Sequence, residues 1–180
     1  SRVMSEASYT FLSTSSLFTG ASPAETGLGA RSGGRVPDHL ELLAEAAQEN
    51  GYSTVAYSEN PYVTRYFGLA QGFERFREAF PAKHLAEGRE PLPGDFDTEG
   101  AIEYAVAEAT SDPSRPFFLY LHLLRPHNPY APPAPFAGRF GTEPKDRALG
   151  ATESLLALDQ AGPPFEPTDV DRITALYDEN

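Results

Sequence analysis

A chain of 180 residues, 40% hydrophobic and 22% charged, has the length and composition of a globular protein with a sizeable core. Its formal net charge of -12 repels nucleic acid and anionic membrane surfaces, although a pocket's local field can still admit a small anion. The absence of cysteine excludes a disulfide framework, a thiolate nucleophile and a Cys-ligated metal.

No stretch approaches the roughly 18 apolar residues of a membrane-spanning helix. The chain starts at Ser1 and stops inside a helical pattern, so it reads as a piece of a longer protein. A missing targeting signal therefore carries no weight.

In chain order, SYTFLSTSSLFTG (residues 8–20) comes first, with seven Ser and Thr hydroxyls among thirteen residues. Ser13 to Thr19 predict a short helix stopped by Gly20, the usual left-handed cap. Residues 21–37 hold too many Gly, Pro and small polar residues for a regular element. DHLELLAEAAQENG predicts a helix with Asp38 as N-cap and Glu41 completing a capping box. Leu40, Leu43, Ala44 and Ala47 would share its buried face, and Gly51 would end it.

Tyr52 to Tyr57 then predict a strand, followed by a turn at SENP. GFERFREAF, further on, has a helical look. TEGAIEYAVAEAT predicts another helix, with Ala101, Ile102, Ala105, Val106 and Ala109 on one face. FFLYLHLL, residues 117–124, is a continuous apolar run that suits a strand buried on both faces of a parallel sheet. RPHNPYAPPAPF must be a loop, and residues 137–167 look irregular. TDVDRITALYDEN begins a capped helix.

This alternation predicts an α/β fold, a sheet with helices on both faces. Ligands in such sheets bind at the carboxyl ends of the strands, which points to the SENP and RPHNP loops. In the second of these, Arg125 and His127 lie two residues apart between prolines that stiffen the loop, a geometry suited to an anion. A solvated surface loop would carry the same residues. His122, inside the apolar run, is expected to be a core histidine with a satisfied hydrogen bond. Asn60 and Glu59 are expected in an Asx turn before Pro61. His39 and His84 are assigned no role. A hydroxyl at the start of the first helix would meet the free amides and positive end of the helix dipole, although such hydroxyls are usually caps.

Several segments, taken in order, resemble the sulfatase family of the alkaline phosphatase superfamily. TFLSTSSLFTG resembles the nucleophile motif, a Cys or Ser followed by x-Pro-x-Arg and a short helix ending in Thr-Gly. HLELLAEAAQENGYSTVAYSEN resembles the helix and strand that follow, GLAQGFERF a Gly-Phe-Asp-x-Phe segment, and FFLYLHLLRPHNPYAPPAPF the stretch that carries a Pro and His toward the bound anion. RITALYDEN is similar to the start of a later helix. The resemblance implies part of an alkaline-phosphatase-like sheet and a partial catalytic domain over residues 1–180.

It places the nucleophile at Thr10, with Leu12 at the family's Pro and Thr14 at its Arg. Thr cannot be oxidised to the formylglycine of sulfatases proper. The position therefore suggests a metal-activated Thr alkoxide attacking a sulfate or phosphate ester, with Arg125 and His127 binding the anionic substrate. Thr10 would also be a ligand of a divalent cation, Ca or one of Mn, Zn and Mg. The remaining ligands, an acidic pair before this stretch and an Asp-Asn or Asp-His pair beyond it, are expected outside the chain, so the 180 residues alone are expected to be inactive. The partner implied is a small anionic ester, with no nucleic acid or membrane contact. Relatives are often periplasmic, secreted or lysosomal. Two other readings stay open: a non-catalytic binding protein of the same fold, and a phosphoglycerol-type transferase.

Overall fold

The computed structural model describes residues 4–29, 34–80, 87, 96–162 and 166–180. The chain forms two compact units, Ser1–Leu123 and Leu124–Asn180.

In the first unit a three-stranded parallel sheet has the order β2-β1-β3, where β1 is Ser53–Ser58, β2 Arg75–Glu78 and β3 Phe117–His122. Every residue of β1 is buried. Its register runs from Ser53 opposite Phe117 to Ser58 opposite His122. Side chains alternate across the pleat. Ala56, Phe76, Phe118 and Tyr120 pack with α1 (Thr10–Thr19) and α3 (Leu43–Glu49), while Tyr57, Leu119 and Leu121 pack with Ala101 and Ala105 of α4 (Thr98–Ala109). The sheet therefore carries helices on both faces, as the sequence predicts.

Several local expectations are corrected. The first helix starts at Thr10 instead of Ser13, because Phe11, Thr14, Ser15 and Phe18 recur at helical spacing and are all buried. Its stop at Gly20, φ 67°, is as expected. Within 21–37 a one-turn helix α2, Pro23–Thr26, forms behind a capping box of Ser22 and Glu25. The next helix starts at Leu43, not after Asp38: the Leu42 amide donates to Glu45 Oε2 at 2.8 Å, and Asp38 pairs with Arg35 instead.

The segment expected to be helical at GFERFREAF contains β2. Its Phe76 faces the core, while Arg75 pairs with Glu108 at 2.6 Å and Arg77 covers the Tyr104 ring. β3 is not buried on both faces. It has only β1 beside it among the described residues, Phe117 is 48% exposed, and the rest of the strand is half-buried.

In the second unit, residues 137–167 are more regular than expected. A 3-10 helix covers Pro144–Ala148, α5 covers Thr152–Ala161 and α6 covers Pro167–Glu179. Pro144 and Pro167 lie in first turns, where the missing N–H costs nothing, so they start helices rather than break them. No helix among the described residues is long and apolar enough to cross a membrane.

Candidate active site

Thr10 is the first residue of α1, half-buried, after Tyr9 in extended geometry at φ -118° and ψ 131°. The N-cap residue Tyr9 makes no side-chain capping bond, and the amides of a helix's first turn have no partner within the helix. The Tyr9 ring meets the Tyr62 ring edge-on at 5.2 Å. Tyr62 lies in the loop that leaves the carboxyl end of β1, so Thr10 stands beside the end of the sheet where ligands are expected. Burial and the neighbouring Tyr62 hydroxyl push the Tyr9 hydroxyl up to about 12, which keeps it neutral.

Three other hydroxyls of the stretch serve the helix and its packing. Ser15 donates to the Phe11 carbonyl at 2.7 Å, Thr19 to the Ser15 carbonyl at 2.8 Å, and Ser13 pairs with Ser5 at 2.8 Å. Thr14 is buried. Leu12 is part of the core. The two positions that carry Pro and Arg in the family motif are thus committed to packing.

The SENP segment makes the expected turn, with the Tyr62 amide donating to Asn60 Oδ1 at 2.9 Å. Glu59 is the surprise: its carboxylate is 1% exposed and accepts from Thr98 Oγ1 at 2.6 Å and from the Tyr57 hydroxyl at 3.3 Å. Burial first, and then the Glu59 charge, raise the Tyr57 hydroxyl well above its ordinary value. The signal in sequence was an acid set directly behind a buried strand. His122 has the expected partner, since its Nδ1 lies 2.8 Å from the Tyr120 hydroxyl, but it is half-buried and not part of the core.

Arg125 and His127 belong to the second unit, Thr10 to the first. Arg125 is half-buried and His127 exposed in the loop after β3. The His127 amide donates to the Leu124 carbonyl at 2.8 Å, which folds the loop back. His127 Nδ1 lies 2.8 Å from the Asn128 carbonyl, which can only accept. Nδ1 must therefore carry the proton, and a neutral ring presents Nε2 to a ligand. His39 lies in the turn before α3, and His84 lies outside the described residues.

A divalent cation is the open part of the site. Among the described residues no three His, Cys, Asp or Glu side chains gather as a cation site. Thr10 would add one neutral oxygen, which does not hold a metal alone. The described residues do not make the site that the sequence resemblance implies.

The sulfatase family model matches residues 1–178. The chain belongs to the sulfatase family. No curated protein matches the sequence. Among solved structures, this sulfatase-family chain is similar to the phosphonate monoester hydrolase of Agrobacterium radiobacter, with a TM-score of 0.59 and 16% identity. The likeness covers 96% of this chain and 47% of that one, so the chain spans about half the length of that hydrolase. At this identity the likeness is one of fold, a mixed α/β fold.

Proposed function

We propose that the intact protein is a sulfatase-like hydrolase of sulfate or phosphate esters with Thr10 as its nucleophile. One observation carries the reading: in a chain matching the sulfatase family over residues 1–178, Thr10 opens a helix whose first-turn amides the N-cap side chain, Tyr9, does not bond. Those amides and the helix dipole favour a tetrahedral anion next to the hydroxyl. The Thr10 oxygen attacks sulfur or phosphorus in line, and the ester oxygen leaves with the bonding pair. Water then cleaves the Thr10 ester, or an acceptor takes the group. Arg125 holds the anion's outer oxygens and neutralises charge that builds on them, and the His127 ring donates to them from Nε2 when it carries both protons. The intact enzyme would need a divalent cation, whose remaining donors would come from outside the described residues.

The binding-protein reading also has an observation behind it. Leu12 and Thr14 are built into the core, as they would be in a fold kept for recognition after the chemistry was lost. Substitution at Thr10 in the full-length protein separates the two. Thr10→Ala should lower turnover about a thousandfold or more, and Thr10→Ser should keep part of it. Turnover within a few-fold of wild type in Thr10→Ala removes Thr10 as nucleophile.

A further inference from the structure

β1 ends at Ser58, and the chain leaves the sheet through Glu59, Asn60 and Pro61. Glu59 and Asn60 are both buried, and their side chains are held by different groups. Tyr57 packs toward α4, and the Glu59 carboxylate is taken up on that side by Thr98 of α4 and by the Tyr57 hydroxyl. Ala56 packs toward α1 and α3, and the alternation of the strand puts Ser58 on that second face. Ser58 Oγ donates to the Asn60 carbonyl at 3.2 Å and accepts from the Asn60 amide at 3.1 Å. The Tyr62 amide donates to Asn60 Oδ1 at 2.9 Å. A backbone amide can only donate, so the atom that meets it is the side-chain oxygen, and Nδ2 is directed elsewhere.

Asn60 is 6% exposed, yet Nδ2 makes no hydrogen bond among the described residues. Thr64 Oγ1 is the one described side-chain polar atom that is both sealed from solvent and unbonded. Nδ2, also unbonded, is therefore not sealed: the small part of Asn60 that meets solvent includes this donor. A donor in so buried a residue is costly to leave unmatched. Its backbone and its oxygen are fixed by three bonds, so an acceptor meets it with little ordering cost. It stands at the carboxyl end of a buried parallel strand, where α/β sheets bind ligands. Two residues on, the Tyr62 ring meets the ring of Tyr9, the residue before Thr10, at 5.2 Å.

We propose that Asn60 is an anion-binding residue of the site at Thr10, with Nδ2 donating to an outer oxygen of the bound sulfate or phosphate ester. This rests on the reading of that site as one for ester anions with Thr10 as nucleophile. The outer oxygens of an ionised ester accept and do not donate, which matches an amide whose own oxygen is already held. The Glu59 carboxylate, which would repel an anion, is engaged on the α4 side.

The test uses full-length protein with inorganic phosphate and inorganic sulfate as probes. Asn60→Asp keeps an oxygen for the Tyr62 amide and replaces the donor by a charge. Its urea midpoint should stay at the wild-type value while its affinity for the better-bound anion, read by calorimetry, falls about tenfold or more. Asn60→Ser keeps a hydroxyl that can hold the turn, lacks Nδ2 and adds no charge. It should also lose about tenfold, and it serves if Asn60→Asp does not fold. In protein nitrogen-labelled at asparagine, the Asn60 side-chain amide signals, assigned by their loss in Asn60→Ser, should shift as the anion is added. Unshifted signals, or no binding of either anion to wild type, would overturn the proposal. Affinity lost in Asn60→Asp but kept in Asn60→Ser would show only repulsion by the new charge and would equally overturn it. Thr10→Ala separates the two readings. Full turnover in that variant sinks the nucleophile, while an anion that still shifts the Asn60 signals there supports Asn60 by itself.

Discussion

A hydroxyl serves chemistry only when structure does not already use it. In α1 Ser15 and Thr19 bond to backbone carbonyls of their own helix and Ser13 to Ser5, whereas Thr10 stands at the first turn. Spacing alone did not distinguish it from the other hydroxyls of residues 8–20, and only the order of family-like segments along the chain singled it out. The burial of Glu59 was hidden for a related reason. An acid in a turn reads as solvated, and its partners Thr98 and Tyr57 come from a remote helix and from the strand before it. His127 belongs at this scale too. Its backbone-bonded Nδ1 fixes which nitrogen meets a substrate. In the full-length protein His127→Ala should lower kcat/KM about tenfold to a hundredfold, measured on any ester the enzyme turns over. An unchanged value would take His127 out of the site.

At the scale of elements, β1 and α4 were legible because burial there follows the chain's own pattern, a β-branched strand and a helix with Ala101, Ala105 and Ala109 inward. β2 was not, because the spacing of Phe73, Phe76 and Phe80 suits a helix, and what makes RFRE a strand is remote. Glu108 and Tyr104 of α4 receive its arginines, and the ladder to β1 pairs Val55 through Ser58 with it. The α3 cap shifted because Glu45, not Glu41, reaches the amide at the turn. Gly72 lets the loop before β2 press on α3. A Cβ there would fall 2.1 Å from the Glu45 nitrogen at a φ of +78°. Gly72→Ala should cost about 2–3 kcal/mol, read as a lower urea midpoint, and an unshifted midpoint would refute this close approach.

In the second unit, burial alone would raise the Glu179 carboxyl. Thr142 and the amides of Gly138 and Phe140 outweigh that and hold it below its ordinary 4.5. A depressed carboxyl stabilises the fold above its unfolded value and loses that as pH falls through its folded value. Hydrogen exchange at the Gly138 and Phe140 amides should therefore speed up as pH falls below 4.5, after correction for intrinsic rates. Glu179→Gln should speed it at neutral pH and flatten the dependence. Equal protection in both proteins would show that the carboxylate does not hold this loop.

At the scale of the whole molecule, the parallel sheet with helices on both faces, the family and the fold agree. What this stretch does not supply is a cation's donor set among its described residues. That is why the family was easier to read than the reaction: sheet and helices follow from local burial, while a metal-dependent site gathers donors from distant parts of a chain. The net charge of -12 leaves any anion recognition to local fields. Hydrolysis of a sulfate or phosphate ester is tested most directly by assaying the purified full-length protein on an aryl sulfate, a phosphate monoester and a phosphodiester. Turnover of at least one of them is expected, lost on chelation and restored by a divalent cation. No turnover of any of the three, with each divalent cation supplied in turn, would contradict this reading.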